Sequence, residues 1–141
     1  MKIRLSLLLT LFFSGIAMSQ DGLVTPLKAS FAEARAESNM AIALSQLWKA
    51  DLYVVVGSPG DESRDFYITP SPTEGRWVVT VSEKQEWLER VSSPKAPIKG
   101  SELITRLNEK WEIVIVYGDG GDYVRQEHLS WLREALSGAT Q

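Results

Sequence analysis

The sequence predicts an α/β domain in which a mixed sheet of four or five strands is packed by helices. Three observations carry that expectation. Leu27, Phe31, Ala34, Ala41, Leu44, Leu47 and Trp48 recur at mostly helical spacing, which marks one apolar stripe. Residues 52–56 are a continuous run of β-branched, aromatic and other apolar residues, as a buried strand is, and residues 111–117 are the strongest strand signal in the chain. Helical and strand patterns then alternate, giving the order α-β-β-β-α-(β)-α-β-α.

Before the domain comes a segment that reads as an address. Lys2 and Arg4 form a short positive start, residues 5–16 are mostly apolar, and Ala17-Met18-Ser19 supplies a small-x-small site. This predicts a signal peptide over 1–19, cleaved between Ser19 and Gln20, and a protein placed in the periplasm or secreted. The apolar run is shorter than the roughly 20 residues that span a bilayer, so stable membrane insertion after cleavage is not expected. No cysteine follows the run, which excludes a lipoprotein.

Cleavage at that point would leave 122 of the 141 residues, enough for one core. The expected organisation is a short leader over 20–26, a domain over 27–137 and a tail over 138–141. Taking Lys2 and Arg4 from the 15 basic residues leaves 13 against 18 acids, a net charge of −5. A nucleic-acid partner is not expected of such a surface. With no cysteine there is no disulfide, thiol nucleophile or thiolate metal site, and stability must come from apolar burial. No cofactor is expected.

Taken in order, Pro26 opens a helix that runs to about Ala50. Residues 52–56 form a strand, and residues 66–69 and 76–81 an antiparallel hairpin around the proline- and glycine-bearing turn 70–75. Ser82 and Gln85 read as a capping box, with Trp87, Leu88 and Val91 on the inner face of the helix it starts. Residues 96–98 are too short to assign. Leu103, Ile104 and Leu107 mark a helix of about two turns. After the strand at 111–117 and the break at 118–122, Leu129, Leu132 and Leu136 mark the last helix.

One combination of these segments is specific. A helix ends in Leu47-Trp-Lys-Ala-Asp-Leu-Tyr-Val-Val55, and Trp77 to Val81 runs into Ser82-Glu83. Next come Ala96-Pro-Ile-Lys-Gly100-Ser-Glu-Leu-Ile104, an apolar strand to Tyr117, a glycine loop, and a helix from Gln126. Over roughly residues 27–136 this resembles the N-terminal domain of the enhanced serine sensitivity (SseB) family, and the resemblance implies that family's α/β fold. Gly100-Ser-Glu-Leu103 fits the family's Gly-x-x-Leu segment. Tyr117-Gly-Asp-Gly120 stands where the family has Asn-Pro-Gly. Relatives are often cytoplasmic and often carry a second domain, unlike an exported single domain. The resemblance brings no catalytic residues.

Candidate chemistry is sparse. Residues 118–122 stand between a strand and a helix, as phosphate loops do, but lack the Gly-x-Gly-x-x-Gly and Walker spacings, and Asp119 and Asp122 would repel phosphate. A calcium reading would use Asp119, Asp122 and Glu127, without EF-hand spacing. His128, the one histidine, borders an apolar face as a helix-flank residue. Its rival role is a general base oriented by Glu127 or Asp122, of which Glu127, about 100° away on the helix, is poorly placed. Ser58, Ser82 and Ser101 occupy no nucleophile elbow.

The acids Asp61, Glu62 and Asp65, and the pair Asp119 and Asp122 with Tyr123, read as loops that suit a basic protein partner. Those two loops share an edge only if their strands run parallel. Of the five tryptophans most should be core, with Trp131 and Trp48 the candidate interface anchors. The expected function is an exported, non-catalytic protein-binding domain, in concrete form an immunity or inhibitor protein blocking an incoming toxin in the periplasm. One rival is a small-ligand carrier or hydrolase using residues 118–123 and His128. Another is a structural envelope component.

Overall fold

The computed structural model describes residues 22–57, 66–72 and 74–139. The signal segment with Ser19 and Gln20, and the acids Asp61, Glu62 and Asp65, lie outside the described residues. Within them the expected α/β fold is present, as a six-stranded mixed sheet packed against four α-helices.

The first helical stripe is two helices, α1 (Pro26–Glu37) and α2 (Ala41–Lys49), where one was expected. Ser38 takes the left-handed conformation at φ 54°, and Asn39 N–H bonds Ala34 C=O at 2.9 Å, a Schellman closure of α1. The Asn39 side chain then accepts from Ala41 N–H at 3.1 Å and starts α2. Local turn chemistry at Ser38-Asn39 thus overrides an apolar spacing that continues across it.

Strand β1 (Asp51–Val55) lies inside the sheet as expected, between β4 (Lys95–Lys99) and β3 (Trp77–Ser82). Strand β2 (Ile68–Pro70) pairs antiparallel with β3, which bears out the predicted hairpin. The unassigned stretch at 96–98 is the middle of β4, an edge strand antiparallel to β1, where Pro97 is tolerated. Helix α3 (Gly100–Arg106) leads to β5 (Trp111–Tyr117), which runs parallel to β3.

The sixth strand was not expected. Residues read as a loop into the last helix form β6 (Gly120–Val124), antiparallel to β5 across a two-residue turn at Gly118-Asp119. Helix α4 (Gln126–Ala139) follows. Neither was a capping box found at Ser82. That residue ends β3, its hydroxyl donates to Val116 C=O at 2.6 Å and accepts from Lys84 N–H at 3.3 Å, and only a single 3₁₀ turn follows, Gln85–Leu88.

Alternation along the strands sends Leu52, Val54, Val79, Val81, Ile113, Ile115 and Val124 to one face. There they form one core with Leu27 and Phe31 of α1, Leu44 and Leu47 of α2, Leu103 and Ile104 of α3, and Leu129 and Leu132 of α4. At roughly 25 cal/mol per Å² removed from water, this burial is the main stabilising term. Packing is close where α2 meets α3. A Cβ on Gly100 would lie 1.7 Å from Leu47 C=O, and Gly100 N–H bonds Ala50 C=O at 2.8 Å.

The tryptophans depart from expectation. None of the five is fully buried: Trp48, Trp87 and Trp111 lean half-buried on the core, and Trp77 and Trp131 are 42% and 46% exposed. They stand at element ends and helix margins, so leucine, isoleucine and valine fill the interior instead.

Candidate functional site

The sheet brings the carboxyl ends of β3 and β5 side by side, tied by the Ser82 hydroxyl on Val116 C=O. Beyond these ends the chain leaves in two directions, into the turn 85–90 and into the β5–β6 hairpin. Between them lies a concavity of about 500 Å³, lined by Glu86, Trp87, Glu89, Arg90, Val116, Tyr117 and residues 118–120. A crevice outside the carboxyl ends of parallel strands is where open α/β sheets bind ligands.

Its walls come from both sides. The Trp87 and Tyr117 rings meet edge to face with centroids 6.3 Å apart. Tyr117 is buried, and its hydroxyl donates to Asp122 Oδ2 at 2.6 Å. Burial, then that bond and the charge of Asp122, push its ionisation far above the usual tyrosine range. Glu86 and Glu89 are exposed, and among the described residues they pair with no cation.

The acids predicted to face a partner are otherwise placed. Asp119 bonds Lys28 Nζ of α1 at 2.7 Å, and this contact holds its carboxyl below the ordinary range. Asp122 pairs with Arg35, also of α1, as well as with Tyr117. The hairpin carboxylates thus fasten α1 to the sheet, and only Asp119 keeps substantial exposure, its side chain at 48% against 12% for Asp122.

Tyr123 stands opposite Val114 on the other face of the sheet from Asp122. Its hydroxyl contacts Glu112 and Ser71, and Arg125 lies over its ring at 5.5 Å. Trp131 remains exposed on α4, whereas Trp48 is packed on the core. These residues therefore do not converge on one surface.

Two further expectations are settled by strand direction. β1 is antiparallel to β3, which is parallel to β5, so the carboxyl ends of β1 and β5 lie at opposite ends of the sheet. The parallel arrangement that a shared edge for the two acidic loops required is not met. His128 follows Val124, which pairs with Ile113, at the far end of β5 from the hairpin turn and about 13 Å along the strand. The turn and His128 are thus not brought together as a carrier or hydrolase site would need. His128 is half-buried, as a helix-flank residue, and its Nδ1 has no partner among the described residues.

No protein-family model, curated protein or solved structure matches this chain.

Among the described residues no group of three His, Cys, Asp or Glu side chains is arranged to hold a metal ion, and no helix is long and apolar enough to cross a membrane. For calcium, Asp119 and Asp122 are already taken by Lys28 and Arg35.

Sequence reasoning missed Glu112 altogether. It is 2% exposed on β5, accepting from Ser71 at 2.9 Å, from Gln126 N–H at 3.0 Å and from Tyr123. Burial opposes its charge, but the bonds from Tyr123, Gln126 and Ser71, with Arg125 nearby, outweigh it and keep the carboxyl below its ordinary range. The available signal was one charge in an otherwise apolar strand. Glu86 and Glu89 escape notice in a segment that reads as a helix with Trp87, Leu88 and Val91 on its inner face, where they would be ordinary solvated residues.

Proposed function

We propose that this chain is an exported, non-catalytic protein-binding domain of SseB-like type, and that it acts in the periplasm as an immunity or inhibitor protein. The observation that carries the reading is the crevice at the carboxyl ends of β3 and β5, where Glu86 and Glu89 stand beside aromatic walls without an ion pair among the described residues. A net charge of −3 for the whole chain adds long-range steering of a basic partner. Export rests on the leader of residues 1–19, with its basic start and its small-x-small site.

The test is recovery of the full chain, tagged at its C-terminus, from fractionated Gram-negative cells. The reading expects a periplasmic protein beginning at Gln20 that retains a basic partner at low salt and releases it as salt rises. An intact precursor in the cytoplasm, or no partner retained at any ionic strength, would overturn it.

A further inference from the structure

The crevice has a chemistry that its position alone does not specify. Three carboxylates and one guanidinium line it, those of Glu86, Glu89, Asp119 and Arg90. Lys28 neutralises Asp119, which leaves Glu86 and Glu89 against Arg90 within the lining, one negative charge in excess there, with Lys84 beside it at the Trp87 ring. The rest of the lining is the rings of Trp87 and Tyr117, Val116 and the glycine turn.

Ring faces attract cations through their quadrupole, and this corner already shows the preference. Lys84 Nζ lies over the Trp87 ring at 6.0 Å from its centroid, and Lys28 Nζ over Tyr117 at 5.6 Å. An anion would face Glu86 and Glu89, which pair with no cation among the described residues. A neutral apolar group would gain ring contact but leave both carboxylates facing it unpaired. A cation on an aliphatic stem satisfies both wall types, with its methylenes along the rings and its charged head toward the carboxylates. The volume, about 500 Å³, admits one long side chain with the backbone that carries it.

We infer that this crevice is the specificity pocket of the proposed binding function, and that it takes a single basic side chain, lysine or arginine, presented by the partner. The inference rests on the protein-binding reading and names what that surface recognises. Lysine and arginine share the required chemistry, and the experiment separates them.

The exported chain, labelled with ¹⁵N, is titrated with the N-acetyl methylamides of lysine, arginine and norleucine. The reporter is the indole N–H signal of Trp87, assigned by its loss in Trp87→Phe. The expected result is a saturable shift with lysine or arginine amide, half complete on the order of 1 mM as suits a ligand this small, and none with norleucine amide. Glu86→Gln/Glu89→Gln should weaken it about tenfold, as loss of two exposed charge contacts implies. Glu33→Gln/Glu37→Gln, which removes equal charge from the exposed side of α1, should leave it unchanged.

An equal shift with norleucine amide would overturn the inference, as would no shift up to about 100 mM or identical binding by both double variants. If salt-sensitive partner retention persists while the amides fail to bind, the pocket assignment falls and the protein-binding reading stands. If the basic amides bind as expected and no protein is ever retained, the pocket stands and the reading falls.

Discussion

The carboxylate of Glu112 lies 3.0 Å from the backbone N–H of Gln126, so a strand side chain occupies the place that an N-cap residue takes at the start of α4. Glu83 does the same for α1, accepting from Leu27 N–H at 3.3 Å and from the hydroxyl of Thr25, the helix's own N-cap. Two helices are thereby tied to the sheet by glutamates from β5 and from the end of β3, each placed where the helix dipole favours a negative charge.

Glu112→Gln should destabilise the fold by about 1–3 kcal/mol, since a buried, multiply bonded carboxylate becomes an amide that brings an extra donor to Tyr123 and Ser71. Its folded ionisation lies below that of an unfolded glutamate, so its contribution is present above about pH 4.5 and is lost as pH falls through the folded value. Urea titrations from pH 7 to 3 should show a shallower acid limb in the variant. Identical limbs would contradict this.

Tyr117 predicts the opposite limb. Its folded ionisation is raised, first by burial and then by Asp122, so its contribution is intact below about pH 10 and is lost as pH rises beyond that. Tyr117→Phe should flatten the alkaline loss of stability above pH 10. An absorbance titration should show a phenolate signal, missing from Tyr117→Phe, that appears only with unfolding.

Gly100→Ala should destabilise at or above the upper end of the roughly 1–3 kcal/mol range for overpacking, because the clash is with backbone that belongs to α2. Gly22→Ala, where nothing lies within 4 Å, is the control and should be near neutral. Thermal unfolding of the two variants checks this, and equal midpoints would refute the close approach of α2 and α3.

Much of this architecture is legible in the chain. β1, β3 and β5 announce themselves by runs such as Trp111-Glu-Ile-Val-Ile-Val-Tyr117, because strands between neighbours are apolar on both faces. β6 does not, because Gly120-Gly-Asp-Tyr-Val124 has poor strand propensity and is held by its pairing with β5, a tertiary cause invisible to local pattern. The site was harder to see. Asp119 and Asp122 were legible as acids, but their consumption by Lys28 and Arg35 depends on α1 crossing the hairpin, a contact some 90 residues apart in sequence. Glu86 and Glu89 acquire meaning only once β3 and β5 lie parallel.

Ser82→Ala should cost about 1–2 kcal/mol, since its hydroxyl joins the ends of β3 and β5 and bonds the N–H of Lys84. The loss should also loosen the turn 85–90 and so blunt any binding at the crevice. Hydrogen exchange at Lys84 and Trp87 amides, compared with the core of β5, checks both effects.

The most direct measurement compares the wild-type chain with Glu86→Gln/Glu89→Gln as bait for periplasmic proteins at two ionic strengths, about 20 and 300 mM, which bracket weak and strong screening. The account predicts a basic partner held by the wild type at the lower salt, largely released at the higher, and held poorly by the variant at either. Equal retention by both baits, indifferent to salt, would contradict it.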